Sequence, residues 1–206
     1  LKGVDHLESI IHGVILAFGL ILPLGVQNVF VFSQGATQPN LVRALPAMIT
    51  AGLCDTFLIL LAVLGVSVIV LQFEWLRLIL MIAGILFLIY MGYAIWKAQP
   101  ATTETNQALP IRQQIFFALS VSLLNPHAIL DTVGVIGTSA LKYTGTEQIL
   151  FTIACIAVSW IWFIGLTFAG MMMKKLDDSG GLMNIFNKCS ALFIWATAIY
   201  LIIDLI

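Results

Sequence analysis

Two aspartates stand where the sequence leaves them little water. Asp55 lies in GLCDTFLIL and Asp131 in LLNPHAILDT, each inside an otherwise apolar run. An aspartate at the centre of a membrane helix costs about 2.5–3.5 kcal/mol on insertion. Two of them take up a large part of the roughly 5–15 kcal/mol that stabilises a typical fold, so something must offset them. A carboxyl held out of water keeps its proton when alone and ionises when a cation arrives, which is the chemistry of proton-coupled cation movement. The plainer alternative is that each aspartate is held neutral or hydrogen-bonded and only ties helices together. His127 precedes Asp131 by four residues and shares its helix face if the helix resumes after Pro126; that pair could shuttle a proton. Lys188 is a cation predicted inside the last span, and it either snorkels to the surface or forms an ion pair with an aspartate.

Amides cluster beside prolines in two of these runs. Pro23 and Gly25 are followed by Gln27 and Asn28 in LILPLGVQNVF, and Asn125 is followed by Pro126 in SLLNPHAILDT. A proline within a helix removes one backbone donor and crowds the carbonyl four residues back, here Gly19 and Ser122. Inside a membrane the freed carbonyls need a partner. Polar interruptions at corresponding positions of two halves point to a transporter binding site near the midplane; a kink made only for packing is the bland reading.

The elements that must position these residues follow from composition. Of 206 residues, 61% are apolar and 9% charged, against about 25% charged in a soluble domain, too few to cover a water-facing exterior. The expected class is an all-α membrane protein embedded in the lipid bilayer. A net charge of -1 excludes a disordered or nucleic-acid-binding chain. Cys54, Cys155 and Cys189 show no metal-cluster or disulfide spacing and read as small core hydrophobes. Leu1 opens the sequence with Lys2 as the only early cation and no small-residue cleavage site, so a removable signal peptide is not expected.

A bilayer core needs about 20 apolar helical residues per crossing, and six such stretches occur, at 11–33, 45–70, 75–96, 114–138, 148–173 and 182–205. The polar segment 97–113 separates a first three-helix repeat, 1–96, from a second, 114–206. Three spans per half make any repeat inverted, so the expected architecture is a 3+3 inverted repeat with helices one and four broken. Arg43, Lys97, Arg112, Lys174 and Lys175 fall on one side against Lys2, Arg77 and Lys142 on the other, which puts both termini outside the cytoplasm.

The remaining features read as structure. His6 and His12 are expected to be solvated or to face headgroups, and the tryptophans and tyrosines to pack or anchor the interface. Gly13 with Ala17, and Gly165 with Ala169, have the spacing that lets helices approach closely. No HExxH, GxSxG or GxxxxGKS is present, so no catalytic residue, metal or cofactor is expected and an enzyme is disfavoured.

PLGVQNVFVFSQG at 23–35, GLCDTFLIL at 52–60 and LLNPHAILDT at 123–132 resemble, in that order, the LysE family of bacterial amino-acid exporters. The resemblance covers nearly the whole chain and is nearer the lysine and arginine branch than the homoserine and threonine branch. It implies a multi-pass inner-membrane protein, often a homodimer, that expels a small amino-acid substrate by the proton gradient or membrane potential. It also implies functional roles for Gln27, Asn28, Asp55, Asn125, Pro126 and Asp131, and Asn184 fits the family's polar position early in the last span. Lys188 departs from the small residue usual in relatives, and a buried cation there would repel a cationic side chain. Export of neutral amino acids or of a metal cation therefore stays open, as does a non-transporting scaffold subunit.

Overall fold

The computed structural model describes residues 2–23, 25–65, 74–97, 108–125, 129, 132–176 and 181–205. These residues are helical or form short connections, with no strand among them. Helices run α1 Lys2–Ile21, α2 Val26–Thr37, α3 Leu41–Val63, α4 Glu74–Lys97 and α5 Ile111–Leu123. A π-helical turn, Thr132–Ile136, then leads into α6 Gly137–Ala140, followed by α7 Thr146–Leu176 and α8 Gly181–Leu205.

Local chemistry marks the ends. The Asn40 side chain accepts from the Arg43 N–H at 3.0 Å and starts α3, satisfying one donor that the helix leaves unpaired. Gly65 ends it with φ +82°, a left-handed conformation that a Cβ disfavours. Within those ends α3 and the stretch Thr146–Lys175 are each long and apolar enough to cross a bilayer alone. The expected first span is instead two helices, α1 and α2, whose axes meet at 80°; they make a third crossing if taken together. Within the expected fourth span, α5 ends at Leu123 and the π-helical turn begins at Thr132.

Helix α2 is the centre of the molecule. Ten of its twelve residues are buried, among them the polar Gln27, Asn28 and Gln34. A helix covered on all sides shows little amphipathicity, and its neighbours complete its two faces. Val26 and Phe30 join Ala47, Leu88, Val121 and Ile194 in one core cluster, while Val31 packs with Met48, Ala51 and Phe163 in another. A third cluster, Ala17, Ile59, Ile136, Phe151 and Val158, lies on the α1 side of the break.

Small residues set the closest crossings. A Cβ on Gly13 would stand 2.8 Å from the Phe151 carbonyl oxygen, so the expected close approach at Gly13 and Ala17 is real, and its partner is α7. Gly165 meets nothing within 4 Å and Ala169 is exposed, so that pair makes no crossing among the described residues. The tighter contacts are at Gly35, against the Thr167 carbonyl, and at Gly170, against the Phe32 carbonyl. Along α7, α1 is met first and α2 further on, so the broken pair runs parallel to α7. Gly52 against Trp160, with Met48 and Ala51 against Phe163, makes α3 antiparallel to it.

One end of the bundle is closed by amides. Gln38 Nε2 donates to Gln34 Oε1 at 3.0 Å and to the Leu109 carbonyl at 3.1 Å. Gln114 Nε2 donates to the carbonyls of Leu109 (2.9 Å) and Arg43 (3.0 Å), and Lys174 Nζ to that of Gln38 at 2.9 Å. The ends of α2, α3, α5 and α7 are thereby gathered together, bringing Arg43, Arg112 and Lys174 to the same side. Toward the other end His12 Nδ1 lies 2.8 Å from the Tyr143 hydroxyl and its ring packs on Phe151. His12 is thus a half-buried, hydrogen-bonded side chain, because the turn before α7 folds over α1.

Candidate functional site

The break between α1 and α2 opens onto a cavity of about 280 Å³. Its level is central: Asp55 and Ser159, which face it, sit close to the midpoints of α3 and α7. Non-helical backbone at such depth is tolerated where it lines a cavity, and Pro23 and Gly25 do line it.

Asn28 holds the break in place. Its Nδ2 donates to the carbonyls of Ile21 at 2.7 Å and of Pro23 at 2.9 Å. The need for a carbonyl partner was legible from Pro23, but the carbonyls captured are at the end of α1 and at the proline itself, not at Gly19. Helix α1 simply stops at Ile21 instead of continuing with a kink. Asn28→Asp keeps the shape and removes both donors. That variant should melt at lower temperature, with a loss of about 2 kcal/mol or more, since each buried acceptor left unsatisfied costs roughly 1–3 kcal/mol. Thermal unfolding of the detergent-purified protein checks this, and an unchanged midpoint would show that Asn28 does not hold the break.

Three helices converge on Asp55. Gln27 Nε2, from the first turn of α2, donates to Asp55 Oδ1 at 2.8 Å, and Ser159 of α7 lines the cavity beside the carboxylate. Register here is fixed one residue away, where Trp160 Nε1 donates to Thr56 Oγ1 at 3.1 Å and the indole covers Gly52. Gln27, Asn28 and Asn125 are buried at 8%, 5% and 7% exposure, and all three line the cavity with Thr132, Ser159 and Thr197. The walls are otherwise apolar, with Leu20, Ile21, Ile59, Leu88, Ile136 and Phe193. One carboxylate, several amides and hydroxyls and an apolar wall suit a small polar molecule that carries a positive charge.

Of the residues singled out from the sequence, Pro23, Gln27, Asn28, Asp55 and Asn125 come together at this cavity. Pro126, His127 and Asp131 lie outside the described residues. Asn184 does not line the cavity; it is half-buried at the start of α8, nine residues or about 13 Å along the helix from Phe193 at 1.5 Å per residue. Lys188 is exposed, with Nζ 5.8 Å from the centre of the Trp96 ring, and is not among the residues that line the cavity. Ser159 and Thr197 were missed. Hydroxyls inside membrane helices commonly bond their own backbone, and no spacing in the sequence separates these two from the others.

A divided helix beside a central cavity with a carboxylate on its wall is an arrangement suited to membrane transport, and similarity to known proteins gives the class. The LysE type translocator family matches residues 18–205, and the chain belongs to that family. It is 57% identical over 195 residues to the protein of Bacillus subtilis (strain 168) named "Putative amino-acid transporter YisU", covering 94% of this chain and 89% of that one. It is 30% identical over 198 residues to the arginine exporter protein ArgO of Escherichia coli (strain K12), covering 93% and 92%. With ArgO of Salmonella typhi the figures are 31% over 195 residues, covering 92% and 90%. No solved structure matches. The family and these relatives are transporters and not enzymes.

Proposed function

We propose that this chain exports amino acids across the bacterial inner membrane, basic ones foremost, driven by the proton gradient or the membrane potential. The observation that carries the reading is Asp55, a carboxylate at the junction of α2, α3 and α7 on the wall of a central cavity. The arginine exporters among the relatives support a cationic substrate, as does the absence of Lys188 from the residues that line the cavity. In this reading Asp55 faces the substrate's positive nitrogen. The N-terminus of α2, whose cap Gly25 supplies no side-chain bond, turns its backbone donors toward the carboxylate end.

Six crossings arranged as two inverted halves, 1–96 and 114–206, belong to the same proposal. The parallel course of α1–α2 with α7 and the antiparallel course of α3 support it, since alternating crossings one, two and five must run that way. The gathering of Arg43, Arg112 and Lys174 at one end supports a cytoplasmic location for that end. Efflux of labelled arginine and lysine from vesicles holding the purified protein, with and without imposed pH and voltage gradients, tests the reading. Gradient-dependent efflux is the expected result. Failure to move either, in vesicles shown to hold folded protein, would overturn it.

A further inference from the structure

Two adjacent amides at the start of α2 are committed differently. Asn28 Nδ2 donates to two backbone carbonyls of the break, whereas Gln27 Nε2 donates across to Asp55 Oδ1 on another helix. Both side chains line the cavity with Asp55 itself. A carboxylate oxygen facing a cavity is the atom a cationic ligand would take, and here a neutral N–H donor already stands on it. A cation brings to a carboxylate the Coulomb attraction of a full positive charge, which a neutral amide lacks, so an incoming ammonium or guanidinium has the advantage over an amide at that atom.

Resting on the export reading, we propose that Gln27 is a placeholder: it occupies on Asp55 the position that the substrate's cationic nitrogen takes, and it must be displaced for substrate to bind. Gln27 is then a positioning residue and not a ligand of the substrate. Displacement has a structural consequence, because the Gln27–Asp55 bond ties the first turn of α2 to the middle of α3. Exchanging it for a bond to substrate frees α2 from α3 at the break while Asn28 still joins α2 to the end of α1. Substrate binding is thereby linked to movement of the broken span. The nitrogen is either a side-chain cation or an α-ammonium, and the ligands tested separate the two.

The experiment measures direct binding of labelled arginine, labelled leucine and labelled methylguanidinium to the purified full-length protein and to Gln27→Met, Gln27→Ala and Asp55→Asn. Methionine keeps the bulk of glutamine without its N–H, and alanine serves if methionine packs poorly. With the competing bond gone, arginine should bind the Gln27 variants about tenfold more tightly while their maximal efflux rate falls. Asp55→Asn should lose arginine and methylguanidinium binding together. Leucine binding that tightens by the same factor identifies the α-ammonium as the displacing nitrogen, and tightening of arginine alone identifies the side chain. Weaker arginine binding in both Gln27 variants would make Gln27 a substrate ligand and overturn the proposal, as would unchanged binding. If the wild-type protein binds neither amino acid, the export reading fails separately. Methylguanidinium then decides the placeholder, which requires tighter binding of it by the Gln27 variants than by wild type.

Discussion

Replacing Asp55 by asparagine should reduce arginine efflux by about two orders of magnitude while leaving the protein folded. Asparagine has the shape of aspartate, and its Oδ1 can still accept from Gln27 Nε2, which now bonds Asp55 Oδ1 at 2.8 Å. The packing around it, with Gly52 under Trp160 and Thr56 bonded to the same indole, does not depend on charge. What is lost is the full negative charge. Truncating one partner of a buried charged pair typically costs about 2–5 kcal/mol, and every 1.4 kcal/mol is about tenfold. Efflux from preloaded vesicles, normalised to folded protein by size-exclusion chromatography, gives the answer. Undiminished efflux would mean that the substrate never faces this carboxylate, and the export mechanism offered above would fall with it.

The second large effect is on folding. Gly170→Leu should leave no folded protein, and Gly170→Ala should already lower stability by about 1–3 kcal/mol, the usual range for overpacking. A Cβ at Gly170 would overlap the Phe32 carbonyl and stand 2.9 Å from the Ala36 nitrogen. These are backbone atoms of a helix buried on all sides, so no side chain can swing away to make room. Gly165→Ala, five residues earlier on the same helix, meets nothing within 4 Å. It should be neutral or slightly stabilising, since alanine is favoured over glycine in a helix by about 1 kcal/mol. Thermal melts of the purified variants test the contrast. Equal behaviour of the alanine variants would show that the α2–α7 crossing is looser than its geometry implies.

The residues that gather at the cavity were largely legible one by one. Asp55 is conspicuous because its burial in lipid is costly, and Pro23 because it must end or bend a helix. Gln27 and Asn28 stood out because two amides beside a proline need partners. Their separate tasks did not show. Consecutive helical residues point about 100° apart, and only the placement of α3 and of the end of α1 reveals that Gln27 reaches a neighbouring helix while Asn28 turns back to the break. The glycine crossings divide in the same way. Gly13, Gly165 and Gly170 look equivalent in sequence, yet the first and last meet α7 or α2 and the second meets nothing, because spacing along one helix does not specify which face its neighbour takes.

What the sequence determines alone is what depends on each segment's own exchange between water and lipid. That includes the all-helical membrane class, the position of the break within residues 11–33, and the cost of Asp55. The family resemblance carried by residues 23–35, 52–60 and 123–132 was legible there too. Tertiary structure decided what depends on distance between segments. It brought Ser159 to the cavity of Asp55 across 104 residues of chain and bonded Gln27 to that carboxylate across 28. It set Lys188 on Trp96 away from the cavity, and it packed His12 beneath Tyr143. Transfer energies are properties of single side chains, whereas a site depends on inter-helix register, which arises only when glycines, indoles and amides from different helices lock together.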